Sequence, residues 1–91
     1  MIARRCLVRG RVQGVHYRGS AARRAVELGV RGYARNLPDG QVEVLACGAA
    51  ADVQAFIDWL WSGPSAARVI AVEVGELELP RERWPAGFTT A

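Results

Sequence analysis

Pro38-Asp39-Gly40 stands between two runs with alternating apolar residues, one from Val30 to Leu37 and one from Gln41 to Cys47. An Asp-Gly pair in that setting favours a tight reversal, so the two runs are expected to pair as an antiparallel hairpin. The hairpin divides the chain, and each half holds one more strand pattern and one helix pattern. In residues 5–12, Cys6, Val8 and Val12 share one parity and Arg5, Arg9 and Arg11 the other, which predicts a strand. From 18 to 28, Ala21, Ala22, Ala25, Val26 and Leu28 make a helical stripe that Gly29 stops. Val53, Phe56, Ile57 and Leu60 recur at helical spacing and predict a second helix over 51–61, ended by Ser62-Gly63-Pro64. Residues 68–79 read as a last long strand, with Ile70, Val72 and Val74 alternating against Val69, Ala71 and Glu73. The tail from Pro80 to Ala91 reads as turns, with Phe88 at a short edge pairing.

The order is β-α-β-β-α-β, and a chain of 91 residues has room for one hydrophobic core. Both βαβ halves need right-handed crossovers. The expected architecture is α+β, a ferredoxin-like split βαβ domain spanning 1–91, with an antiparallel sheet and two helices on one face.

That fold hosts unrelated functions, so the side chains must decide. The net charge of +3 conceals an asymmetry: residues 1–35 carry nine arginines and the single acid Glu27, while the rest carries three arginines and eight acids. Such a field suits an anionic ligand, and arginine's forked guanidinium suits phosphate. A solvated arginine surface is the plainer reading for most of these residues.

Other classes lose ground. One histidine, His16, and two separated cysteines, Cys6 and Cys47, form no metal-ligand spacing, and both cysteines read as small strand hydrophobes. The chain has no lysine and hence no lysine-bearing phosphate loop. Ser20 has no histidine and acid arrayed behind it. The first strand and residues 41–47 lack the aromatics that stack on bases, so no nucleic-acid partner is expected. No apolar run approaches the roughly 18 residues that span a membrane, and Met1 to Arg5 lacks the apolar stretch of a signal peptide. A cytoplasmic monomer without membrane partners is expected.

Two places remain. Gln13-Gly14-Val15-His16-Tyr17-Arg18 joins the first strand to the start of the first helix. Backbone N–H groups there lack internal partners, and Gly14 lets the chain curl around an anion. Arg18 is then either a clasp on that anion or one more surface arginine. Asn36, just before the hairpin, is either a turn cap or a neutral amide that aims a water molecule.

At these places "GRVQGVHYR" and "GVRGYARNLPDGQVEV", with "GPSAARVIAVEV" beyond them, closely resemble the acylphosphatase family over roughly residues 4–79. The resemblance implies a small ferredoxin-like enzyme that hydrolyses a small-molecule acyl phosphate to a carboxylate and phosphate. It places the family's loop arginine on Arg18 and its water-positioning asparagine on Asn36. The phosphate cradle falls on Gln13, Gly14, Val15, His16 and Tyr17, completed by Arg18. No metal and no organic cofactor are implied, and His16 occupies a position that the family fills variably. Tyr17 stands where phenylalanine is common, Tyr33 and Ala34 where tryptophan and valine are often seen, and "GFTTA" replaces an aromatic-rich ending. The alternatives are an anion-binding module without turnover and a partner-interaction domain that uses the split charge.

Overall fold

The hairpin forms around Asp39-Gly40. Leu37 N–H donates to Gln41 O at 2.8 Å, Gly40 N–H donates to Leu37 O at 3.2 Å, and Asp39 Oδ1 accepts the Gln41 N–H at 3.0 Å. The computed structural model describes residues 1–90. Its elements are β1 (Ile2–Arg11), α1 (Tyr17–Leu28), β2 (Arg31–Asn36), β3 (Val42–Gly48), α2 (Ala50–Ser62), β4 (Arg68–Leu77), a 3-10 turn (Arg81–Arg83) and β5 (Phe88–Thr90). The strands lie in the order β4-β1-β3-β2-β5. The first four pair antiparallel, and the hairpin strand β2 accepts β5 as a short parallel edge. This is the ferredoxin-like arrangement with one added strand.

Strand parity sorts the core. Cys6 and Val8, Ala34, and Val42, Val44 and Ala46 meet Ala21 and Ala25 of α1 and Val53, Phe56 and Leu60 of α2. On α1 the buried residues are Tyr17, Ala21 and Ala25, one face at four-residue spacing. Val26, counted above in the stripe, falls beside that face and is 68% exposed. Gly29 closes the helix, its N–H and that of Val30 donating to Val26 O and Ala25 O.

The other sheet face has its own cover. Leu79 and Trp84 of the tail pack on Ala3, Leu45 and Cys47. The Trp84 indole donates to Leu79 O at 3.0 Å, and the Arg31 guanidinium donates to the carbonyls of Pro85 and Trp84. The tail is thus a built strap. Both cysteines are buried free thiols, one in each core layer, so the sheet lies between them. Burial pushes the Cys6 thiol up to about 11, against a smaller downward pull from Arg4.

β4 departs from the expected alternation. Its pairing with β1 shifts register at Arg9/Gly10, where Arg9 opposes Ala71 and Gly10 opposes Val69. Ile70 is the extra residue and is 75% exposed, while Val74 is exposed on the sheet edge. Gly10 sits at φ 129°, and a side chain there would run into the Arg68 carbonyl. Its glycine serves close approach.

Candidate active site

β1 ends at Arg11 and the chain turns through 12–16 into α1. Gly14 (φ 76°) and His16 (φ 62°) are both left-handed, and Val15 between them is not. A left-handed residue on either side of one that is not is the kind of alternation by which successive N–H groups can turn to one side as an anion nest. For His16 the conformation costs on the order of 1 kcal/mol, strain of the kind held at functional sites. Its imidazole lies over Gly19, where a Cβ would come within 2.7 Å of Cε1.

The nest opens on the N-terminus of α1, which has no side-chain cap and no acidic residue in its first turn. Arg18, half-buried, occupies that turn instead. A cation there opposes the helix dipole by roughly 0.3–1 kcal/mol, and a bound anion reverses the sign. Tyr17 starts the helix, but its side chain points into the core: the hydroxyl donates to Leu60 O at 2.6 Å and the ring lies 5.9 Å from Trp59. Burial foremost, with the nearby Cys6 adding to it, pushes the Tyr17 phenol far above its ordinary range, so it is a neutral donor.

Across from the loop stands Asn36, the last residue of β2. The hairpin side-chain cap is made by Asp39 and Gln41, not by Asn36. Val12, Gly14, His16, Tyr17, Arg18, Gly19 and Asn36 line one cleft of about 250 Å³. Of the residues expected at the site, Gly14, His16, Tyr17, Arg18 and Asn36 meet there. Val15 packs on the core, and the Gln13 side chain turns to the hairpin, where Nε2 donates to Leu37 O and Gln41 O, each at 2.9 Å. Val12 and Gly19 are additions; Val12 reads as a core valine and Gly19 as an ordinary helix residue, so spacing carried no signal for either.

The chemistry available in this cleft is electrostatic. Among the described residues it offers backbone donors, the Arg18 guanidinium, the neutral Asn36 amide and the His16 imidazole. Among the described residues no group of three or more His, Cys, Asp or Glu is placed to hold a metal ion.

The acylphosphatase family model matches residues 4–90, which takes in the tail and β5 beyond the resemblance over residues 4–79. An acylphosphatase of Nitrosococcus oceani is 54% identical over 76 residues, covering 84% of this chain and 85% of that protein. The crystal structure of an acylphosphatase from Bacillus subtilis superposes with a TM-score of 0.93 at 30% identity, covering 100% of this chain and 99% of the other. One from Coxiella burnetii gives 0.91 at 33% identity, covering 99% and 92%.

Proposed function

This chain belongs to the acylphosphatase family, hydrolases of acyl phosphates, and from that premise we propose that the loop amides and Arg18 bind the phosphoryl group while Asn36 positions the attacking water. The observation that carries this reading is the single cleft shared by the Gly14–His16 nest, Arg18 and Asn36. Gln13, Gly14, Val15, His16 and Tyr17 contribute main chain to the cradle. Arg18 adds two parallel donors to phosphoryl oxygens, the arrangement for which a guanidinium fork is suited. These fixed donors face charge that develops in the transition state without reorganising to meet it.

Asn36 accepts one hydrogen from a water molecule and holds its oxygen in line with phosphorus. The water oxygen bonds to phosphorus, the bond from phosphorus to the acyl oxygen breaks, and the carboxylate leaves with that electron pair. A carboxylate, whose conjugate acid has a pKa near 4, departs at neutral pH without a general acid. The water's proton passes to a phosphate oxygen of the substrate, so no protein base is required. Positioning and charge stabilisation then carry the rate.

Release of phosphate from benzoyl phosphate, with p-nitrophenyl phosphate as a monoester control, tests the reading. The expected result is turnover of the first and not the second. Asn36→Ala should lower kcat by on the order of a hundredfold or more while inhibition by inorganic phosphate changes little. Equal losses in turnover and phosphate affinity would instead put Asn36 in the cradle.

A further inference from the structure

The cradle overhangs the sheet. β1 continues to Arg11, yet its ladder with β3 ends at Val8 opposite Val42, and β3 stands between β1 and β2. Asn36 stands opposite that same Val42, so beyond this last row no ladder joins the loop after β1 to the hairpin. Gln13 crosses this gap. Its carboxamide gives one hydrogen bond to Leu37 O, the carbonyl directly after Asn36, and one to Gln41 O, on the returning side of the hairpin. Two carbonyl oxygens can be bridged only by the NH2 end of the amide, which fixes its orientation. The same two carbonyls close the hairpin, since Leu37 O also accepts from Gly40 and Gln41 O from Leu37. One residue before the nest begins, the loop is thus bolted to the turn that starts directly after Asn36.

We propose that Gln13 is a positioning residue that sets the separation between the phosphate cradle and Asn36, and so the line from the attacking water to phosphorus, without its side chain holding phosphate. The proposal rests on the assignment of Asn36 to water. Displacements of about 1 Å in such an arrangement cost up to a hundredfold in rate. Loss of the two hydrogen bonds should therefore act on turnover and act through Asn36.

The test is a double-mutant cycle on benzoyl phosphate hydrolysis, with the inhibition constant of inorganic phosphate measured for every variant. Gln13→Ala is expected to lower kcat by about tenfold or more and to change the phosphate inhibition constant by less than about twofold. Added to Asn36→Ala, it should lower kcat by less than about twofold further, because the group it positions is already gone. Gln13→Met keeps the length of the side chain and removes both donors; it should match Gln13→Ala and serves in its place if the alanine variant does not fold. A parallel loss of phosphate affinity would overturn the proposal, as would an undiminished effect in the Asn36→Ala background or an unchanged kcat. An Asn36→Ala enzyme with full turnover would remove the water assignment and this proposal together. A costly Asn36→Ala with an additive Gln13→Ala would remove this proposal alone.

Discussion

Tyr17 belongs to both the site and the core. Its main chain starts α1 at the cleft, and its hydroxyl donates to Leu60 O near the C-terminal end of α2. Tyr17→Phe keeps the ring and leaves that buried carbonyl without the bond. The expected loss is about 1 kcal/mol, or roughly 4–8 °C in Tm for a domain of this size, read by calorimetry; an unchanged Tm would show that the bond contributes nothing net. The candidate site was legible at this scale wherever the proposed function depends on residue type. Gly14, Arg18 and Asn36 are the residues that the proposed phosphate cradle and water-holding amide call for. The directions of long side chains were not legible. Spacing puts Gln13 in the loop but does not say that its amide reaches back to the hairpin.

Glu43 illustrates what pairing between elements adds. It lies on β3 between β1 and β2, only 2% exposed, and accepts from Arg5, Arg35 and Tyr33. Burial raises its pKa, and the three hydrogen bonds outweigh that, so the carboxyl titrates below its ordinary value. A depressed folded pKa means stability that is present above about pH 4.5 and lost as pH falls through the folded value. Glu43→Gln should cost roughly 2 kcal/mol at pH 7, moderated by the half-exposed arginines. It should also flatten the acid limb in denaturant unfolding below about pH 4.5; an acid limb as steep as that of the parent would refute the assignment. Hairpin, helices and strand order were readable because periodicity and the Asp-Gly turn are local signals. The β4 bulge was not, since it arises from the close approach of Gly10 to Arg68 across strands. The tail had no period to read, and its place depends on Trp84 finding the open sheet face and on Arg31 holding the chain there.

Across the whole molecule, the arginine-rich first third is divided among different tasks. Arg5 and Arg35 neutralise Glu43, Arg31 holds the strap, and Arg24 pairs with Glu27. The N-terminal basic segment is thus partly committed to contacts within the fold, and for those arginines a solvated surface is too plain a reading. Within it, Arg18 is set apart by position, in the first turn of a helix whose N-terminus faces the nest. The account stands on that arginine. Steady-state hydrolysis of benzoyl phosphate by Arg18→Ala tests it most directly. The predicted result is a fall in kcat/KM of about a thousandfold or more, equivalent to roughly 4 kcal/mol of lost transition-state stabilisation. A folded Arg18→Ala enzyme within tenfold of the parent would contradict it.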